Sequence, residues 1–357
     1  MFHRKITLLF FIILSMFALH AVTIAQFSFV QITDLHIADG KYNLYHHDNN
    51  GVMFQKVLNA VNGTIPKPAF VVATGDISNI GEGGISTGSE GMYEALTKHL
   101  FANRSLYPAP GDLFIDSARH VPIYFTPGNH DYYTRFIPYV TTGTLAYYAK
   151  HISPDTDYCV VYKNAVILFV RSGHDAHRSL KEDKDWKKPE CSGLSNSQCS
   201  WIRNTLKTYS DKRKIIVMHH PAVDVNGIKV DGTVNTIVCD TADGSLCRNR
   251  TMFLNICDSN HVDVVLNGHS HQNVVCNRAG KVVDNNWALG TRYVQTAPGF
   301  LGCYRIITVD SGFVYVGIPQ ITSSIDDKNI SSPGVLKYDE TFANTENFIS
   351  FGELKIQ

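Results

Sequence analysis

The chain has 357 residues and carries 32 basic and 32 acidic side chains, so its formal net charge is zero. Hydrophobic residues make up 44% of the chain and charged residues 18%, which is typical of a globular protein rather than a disordered or multispanning one. The zero charge balance argues against a basic nucleic-acid-binding surface. The length suits one large α/β domain or two small ones.

The first 25 residues have the pattern of a secretory signal peptide. Arg4 and Lys5 precede an almost wholly apolar run over 6–24, and Ala25 ends it with a small residue. We expect cleavage after Ala25 and export out of the cytoplasm, into the medium, a periplasm or a lumen. The alternative is an uncut anchor helix, because 6–24 could just span a bilayer. No second apolar run of that length follows, so we expect no membrane span in the mature chain.

After residue 26, apolar runs alternate with amphipathic stretches. This alternation predicts an α/β sheet with helices on its faces. Short strands dominate after 267, and the segment 319–357 has no strong period, so we expect a domain over 26–318 followed by a C-terminal surface extension. The pattern predicts strands at 27–33, 70–74, 121–126, 158–161, 165–171, 214–218 and 262–267, and helices at 53–61, 90–101, 142–151, 195–209 and 251–259.

Eight cysteines all lie in the predicted mature chain, and none forms a CxxC pair. An even number in an exported protein favours disulfide bonds, with buried free thiols as the alternative. Two polar insertions, 174–200 and 224–250, carry four of them and are interpreted as stapled loops. The predicted pairs are Cys191 with Cys199, Cys239 with Cys247, and Cys276 with Cys303.

Polar side chains follow five of the predicted strands. In α/β sheets, ligands bind at the carboxyl ends of the strands, so we expect these side chains to meet at one edge. Asp34 and His36 follow the first strand, Asp76 the second, Asn129, His130 and Asp131 the third, His219 and His220 the fourth, and His269 and His271 the fifth.

This mixture of imidazole and carboxylate groups indicates a metal centre. It suits Zn, Fe, Mn, Co or Ni better than Ca or Mg alone. Asp76 stands alone on its turn, and its two oxygens could bridge a pair of ions. Two cations about 3.5–4 Å apart can activate water and bind a phosphoryl group, which would let a protein without a basic surface bind an anionic substrate.

The motifs DxH, GDxxN, GNHD, HHP and GHxH, in that order, resemble those of the calcineurin-like metallophosphoesterases over residues 27–313. The resemblance implies a four-layer α/β/β/α sandwich, with two mixed sheets flanked by helices. It also implies roles for single residues. Asp34, His36 and His271 would bind one divalent or mixed-valence ion (Zn, Fe or Mn), Asn129, His219 and His269 the other, and Asp76 both; His130 would be catalytic, and His220 and Asp131 would support the ligands or contact substrate.

Two departures narrow the resemblance. Purple acid phosphatases carry a tyrosine ligand after the bridging aspartate and lack the first histidine, whereas this chain has Asn79 and His36. The GDxVDRG motif of protein Ser/Thr phosphatases is also missing from the sequence. With these two groups set aside, the motifs of this chain are similar to those of exported phosphodiesterases related to the cyclic-nucleotide and acid-sphingomyelinase-like enzymes.

The sequence therefore predicts a secreted dinuclear hydrolase of phosphate esters. The resemblance implies a phosphodiesterase in which a metal-bound hydroxide attacks phosphorus and His130 assists the leaving group. Its substrate would be a phosphate-ester small molecule or a lipid head group. A phosphomonoesterase, or a non-catalytic exported metal-binding protein, is the alternative.

Overall fold

The computed structural model describes residues 26–37, 50–64, 66–79, 123–136, 139–142, 145–172, 193–224, 246, 248–322 and 348–350. The predicted signal peptide, the predicted helix at 90–101 and most of both polar insertions lie outside these residues. So do Cys191, Cys239 and Cys247.

One sheet is built around three neighbouring parallel strands, β1, β2 and β3, which come from the first part of the chain. Strand β12 joins the free edge of β1 in antiparallel orientation, and β13 and β14 pair antiparallel with β12. The bounds are β1 Phe27–Ile32, β2 Val71–Thr74, β3 Ile123–Thr126, β12 Cys303–Val309, β13 Val314–Val316 and β14 Gln320–Ile321.

The second sheet has the order β10-β11-β9-β8-β7-β6-β15 in the described part of the chain. Strands β7, β8, β9 and β11 are parallel, and the outer strands β6, β10 and β15 are antiparallel to their neighbours. The bounds are β6 Tyr158–Tyr162, β7 Ala165–Phe169, β8 Arg213–Val217, β9 Val264–Asn267, β10 Val274–Cys276, β11 Arg292–Gln295 and β15 Phe348–Ser350.

Side chains that alternate along the strands bury both faces of each sheet. In β1, Phe29 points into the core between the sheets and stacks on Phe70 with ring centroids 4.9 Å apart, whereas Val30 packs outward. In β7, Ile167 faces the first sheet and Leu168 faces away from it. Because both faces are buried, the strands have the continuous apolar sequences from which they were predicted.

Helices cover the two outer faces. Helix α1 (Asn50–Asn62) packs Phe54 and Leu58 on the first sheet, and the shorter α3 (Ala146–His151) joins that cluster. Helices α4 (Asn196–Thr208) and α5 (Arg250–Ser259) cover the second sheet. A capping box between Ser195 and Gln198 starts α4, since each side chain bonds the other's peptide N–H. The predicted four-layer α/β/β/α sandwich is confirmed.

Three local features differ from the sequence prediction. A four-residue helix, α2 (Asn129–Tyr132), begins directly after β3, and a hairpin of β4 (Tyr133–Phe136) and β5 (Tyr139–Thr142) follows it. The predicted helix at 142–151 consequently starts at Ala146. Within the C-terminal extension, β14 and β15 pair with β12 and β6, although the extension has no periodic pattern.

The predicted disulfide between Cys276 and Cys303 is wrong, because the two residues lie in different sheets. The Sγ of Cys276 faces the carbonyl of Tyr293, and the Sγ of Cys303 faces Asn273. Cys199 is also a buried free thiol, packed in the core under α4, so the predicted bridge to Cys191 is not formed either. Burial raises the pKa of Cys159 to about 12, which makes that thiol unreactive.

Within the described residues, no helix is both long enough and apolar enough to cross a membrane.

Candidate metal centre

The residues that follow the parallel strands meet at one edge of the sandwich, where the carboxyl ends of both sheets lie side by side. The first sheet supplies the carboxylates and the asparagine, and the second supplies four of the imidazoles. Close groups of ligand atoms, all within 4.8 Å of one another, are formed by Asp34, His36 and His271; by His36, Asp76 and His130; by Asp34, Asp76 and His219; and by His219, His220 and His269.

Asp34, His36 and His271 form the group that the sequence assigns to the first ion. The Nε2 atoms of His271 and His36 lie 3.3 and 3.9 Å from Asp34 Oδ1. Asp34 Oδ2 accepts hydrogen bonds from the hydroxyl of Thr33 at 2.6 Å and from the peptide N–H of His269 at 3.0 Å. One carboxylate oxygen is thus anchored by the protein, and the other faces the imidazoles.

His219 is the centre of the second group. Its Nδ1 donates to the carbonyl of Thr74 at 2.7 Å, which leaves Nε2 directed into the site. Three lone-pair donors surround Nε2: Asn129 Oδ1 at 2.9 Å, His269 Nδ1 at 3.2 Å and Asp76 Oδ2 at 3.2 Å. A backbone carbonyl behind a metal-binding imidazole is the usual arrangement in metal sites, because it fixes the tautomer and the ring orientation.

Asp76 lies between the two groups. Its Oδ2 is 3.7 Å from Nε2 of His36 and 3.2 Å from Nε2 of His219. Its Oδ1 accepts the peptide N–H of His130 at 2.8 Å. One oxygen is therefore held by the backbone, and the other faces an imidazole from each group.

The backbone is left-handed at five of the predicted ligands, with φ of 48° at Asp34, 44° at His36, 49° at Asp76, 67° at His269 and 55° at His271. Non-glycine residues seldom adopt this conformation, and it costs about 1–3 kcal/mol at each position. The neighbouring backbone offsets that cost, since Asp34 and His36 donate their peptide N–H groups to the carbonyls of Gly75 and Asp76. Strain of this kind is concentrated at functional sites.

Two glycines allow the turns to approach each other closely. A Cβ atom at Gly128 would collide with the side chain and backbone of Asp76, and one at Gly268 would collide with Thr33 and Asp34. The glycines in GNHD and GHxH are therefore required for packing against the carboxylates, beyond any freedom they give the turn.

Burial raises the pKa of each carboxyl group in the centre, but neighbouring imidazoles outweigh it. His271 and His219 hold the pKa of Asp34 at about 2. His219 and His130 hold the pKa of Asp76 well below its usual value. Both groups are consequently ionised at neutral pH, so this buried site needs a compensating positive charge.

The histidines divide into neutral and charged ones. Burial, together with nearby imidazoles, lowers the pKa of His36 and of His269 to about 3, so both rings are neutral and can offer a lone pair to a metal ion. Burial also disfavours the charge on His219, but Asp76 and Asp34 outweigh it and raise its pKa to about 9. A proton on His219 thus supplies the positive charge that a metal ion would supply instead.

Asp131 holds two turns together. Its carboxylate accepts the peptide N–H groups of Gly128 at 2.8 Å, Ser78 at 3.0 Å and Ile77 at 3.2 Å. Burial and the charge of Asp76 nevertheless raise its pKa to about 6. The structure therefore places Asp131 behind the ligands, connecting the turn after β2 to the turn after β3.

His220 is fully buried beside the second group. Its ring lies 4.6 Å from that of His269, and Ser172 Oγ contacts its Nδ1 at 2.9 Å. Among the described residues, Nε2 of His220 has no hydrogen-bonding partner. Burial and the neighbouring imidazoles hold its pKa well below the usual value, so this neutral ring has a lone pair or a proton left to share.

Sequence reasoning missed two residues at the site. The ring of Phe300 packs edge-on against His36 and His271, with centroids 5.5 and 5.4 Å apart, and it comes from a short 3-10 turn (Gly299–Leu301) that no motif marks. Ser172 supports His220 from the end of β7. The rule that polar residues after parallel strands meet at one edge could have found Ser172.

The site fits a metal ion by its own chemistry. Two buried, ionised carboxylates face neutral imidazoles, and three donor atoms converge around Nε2 of His219. The donor set is the nitrogen and oxygen mixture that first-row transition metals and zinc prefer.

The profile of the calcineurin-like phosphoesterases matches residues 27–273, which is well over half of the chain. The chain belongs to the calcineurin-like phosphoesterase family. The family resemblance seen in the motifs is confirmed, and the family is a class of hydrolases that act on phosphate esters.

A curated relative, described as probable glycerophosphodiester phosphodiesterase GpdQ from Arcobacter nitrofigilis, is 25% identical over 200 residues. The match covers 55% of this chain and 58% of that protein. Among solved structures, a purple acid phosphatase from yellow lupin seeds is 12% identical, with a TM-score of 0.49 over 86% of this chain and 57% of that one. GAP50 of Plasmodium, titled the anchor in the inner membrane complex, is 13% identical, with a TM-score of 0.45 over 85% and 92%.

Proposed function

We propose that this calcineurin-like phosphoesterase is a dinuclear metal-dependent phosphodiesterase that acts outside the cytoplasm. The position of Asp76 carries the proposal. Its Oδ2 faces His36 at 3.7 Å and His219 at 3.2 Å, and these imidazoles belong to different groups of candidate ligands. A carboxylate placed between two sets of donors is suited to bind two ions at once.

Asp34, His36 and His271 would bind one ion, and Asn129, His219 and His269 the other. Such a pair, of Zn, Fe or Mn, lowers the pKa of bound water and neutralises charge on a phosphoryl group. The protein's own contribution is to fix the ligands. Neutral His36 and His269 offer lone pairs without first losing a proton, and the carbonyl of Thr74 orients His219.

In this proposal, His130 serves the leaving group. Its ring lies edge-on to that of His36 at 4.5 Å, and its Nδ1 donates to the carbonyl of Asn79 at 2.8 Å. Since the carbonyl can only accept, Nδ1 holds a proton, and Nε2 is the atom that can exchange one with substrate. Phe300 packs edge-on against the rings of both His36 and His271.

The choice of diesters over monoesters rests on the relative from Arcobacter nitrofigilis, whose description is that of a phosphodiesterase. The proposal that the protein is exported rests on the charged start and the apolar run of the first 25 residues. The five described free thiols give export no support from disulfides.

The test is to purify residues 26–357 and measure bound metals together with hydrolysis of p-nitrophenyl phosphate and bis-p-nitrophenyl phosphate. We expect about two ions per chain and turnover of the diester. Asp76→Asn should retain at most one ion, because the bridge is lost. His261→Asn is the matched control, since His261 is exposed, lies away from the site and has a left-handed backbone that asparagine tolerates.

Turnover of the monoester alone would make the protein a phosphomonoesterase. A full metal complement in Asp76→Asn would contradict the bridging role. Two ions without turnover of either ester would favour the non-catalytic alternative.

A further inference from the structure

A cavity of about 730 Å³ opens at the edge of the second sheet opposite the metal centre. Arg213 begins β8, Asp263 immediately precedes β9 and Arg292 begins β11, so the cavity lies at the amino ends of these strands. The candidate ligands follow the carboxyl ends of the same sheet. The volume of the cavity is within the range of small-molecule binding sites. Because the cavity and the metal centre lie at opposite ends of the strands, a substrate bound at the metal centre does not occupy the cavity.

Arg292 is the unusual group in the wall of this cavity. The residue is only 1% exposed, and its guanidinium lies 4.4 Å above the ring of Phe313. Its Nη1 donates to the carbonyl of Asn285 at 3.0 Å, but its Nε has no acceptor among the described residues. A buried guanidinium with one N–H group that lacks an acceptor is costly. Burial accordingly lowers its pKa, to about 10, so the group is still charged at neutral pH.

The other cavity charges do not neutralise Arg292. Arg278 is paired with Asp258. Arg213 is paired with Asp263 at 3.2 Å, and this is the carboxylate whose charge also acts on Arg292. Two guanidiniums therefore share one carboxylate, and the cavity retains an excess positive charge.

Apolar side chains also line the cavity. Trp287 is half-buried in the loop between β10 and β11, and Leu289 stands at the rim with 85% of its surface exposed. A ligand with a ring could pack against Trp287 while its acidic group approaches the guanidiniums.

We propose that this cavity is a second ligand site, which binds a small molecule with an aromatic ring and a phosphate-like or carboxylate anion. The anion interacts with the excess positive charge of the cavity, and the ring contacts Trp287. Neither the assignment of ligands at the metal centre nor the hydrolysis proposed there is needed for this site.

The experiment is a titration of the full mature chain with phenylphosphonate, monitored by tryptophan fluorescence. Phenylphosphonate has a ring and an anion, and its P–C bond is not a phosphate ester. In a Trp186→Phe background, which leaves Trp201 and Trp287 as the only tryptophans, we expect a saturable change that disappears in Trp287→Phe. Trp287 lines the cavity, whereas Trp201 is buried in the helical layer. Benzyl alcohol, a ring without an anion, should bind far more weakly.

Charge variants at the rim provide a matched pair that cannot disturb the core. Leu289→Glu should weaken binding by about twofold to fivefold, and Leu289→Lys should strengthen it by a similar factor, as expected for a partly screened charge pair. Arg292→Met should weaken binding by about tenfold or more, with Arg203→Met on α4 as its control.

Equal affinity in Leu289→Glu and Leu289→Lys would overturn the proposal even if Arg292→Met failed to fold. So would a fluorescence change that persists in Trp287→Phe. Loss of binding in Asp76→Asn would place phenylphosphonate at the metal centre and would likewise refute a second site.

Discussion

The hydrogen bond between His130 and Asn79 determines what the His130 side chain can do. Because a carbonyl at 2.8 Å accepts the Nδ1 proton, only Nε2 can give a proton to a leaving group, and only while the ring is doubly protonated. The peptide N–H of the same residue holds Asp76 at 2.8 Å. Residue 130 therefore has two roles, and only the first requires the imidazole.

This separation leads to a prediction for His130→Ala. The backbone bond to Asp76 survives the substitution, so the metal content should be unchanged. Hydrolysis should fall by about 10²–10⁴-fold for an alkyl or phenyl diester. The loss should be much smaller for bis-p-nitrophenyl phosphate, because p-nitrophenolate leaves without being protonated. The measurement compares kcat for both leaving groups with metal content.

An equal loss for good and poor leaving groups would contradict the role of His130 as an acid. It would indicate instead that His130 stabilises charge on the phosphoryl group. Loss of metal in His130→Ala would show that the imidazole itself is needed for the ligand set.

Among the secondary-structure elements, the turns after the strands carry the site, and their packing leaves little free space. Gly128 follows β3 and lies directly against Asp76, which follows β2. Asp131 accepts peptide N–H groups from both turns. A change in one turn should therefore move ligands that belong to the other.

Gly128→Ala tests this coupling between the turns. The added Cβ collides with the side chain and backbone of Asp76, so the variant should lose metal affinity and about 1–3 kcal/mol of stability. Gly63→Ala at the end of α1 is the control, since its Cβ would lie an ordinary 3.5 Å from the nearest atom, the carbonyl oxygen of Asn59. Metal titration and chemical denaturation measure both effects. A Gly128→Ala variant that binds metal like Gly63→Ala would contradict the coupling.

Some features of the strands and turns could be predicted from the sequence, and others could not. Buried parallel strands such as β2 and β7 have continuous apolar runs. The polar residues that follow such strands, for example Asp76 after β2, were predicted from the sequence. The left-handed backbone at Asp34 depends on hydrogen bonds to another turn, which a local pattern does not encode. Strand β15 depends on pairing with β6, and a disulfide depends on which sheet each cysteine joins. These features are set by tertiary contacts, and so they were missed or predicted wrongly.

In the whole molecule, the candidate metal centre lies where the two sheets meet. Asp34 and Asp76 come from the first sheet, and His219 and His269 come from the second. Behind them, Gln31 of β1 donates to the carbonyl of Asn267 at 2.9 Å and accepts from Thr296 at 2.8 Å. If no ion were present, the apolar core and polar bonds such as these, together with the bond from His219 Nδ1 to the carbonyl of Thr74, would hold the sheets together at this edge.

We therefore predict that metal binding stabilises the complete sandwich. Ions that bind only the folded state add about 2.7 kcal/mol when their free concentration is 100 times the Kd, so a chelator should lower the melting temperature clearly. Metal-loaded His130→Ala should show the same decrease, because it retains every ligand. Asp76→Asn should show a much smaller decrease, since it binds less metal. Differential scanning calorimetry with and without chelator measures the change, and an identical decrease in Asp76→Asn and the parent chain would mean that the stabilising ion binds elsewhere.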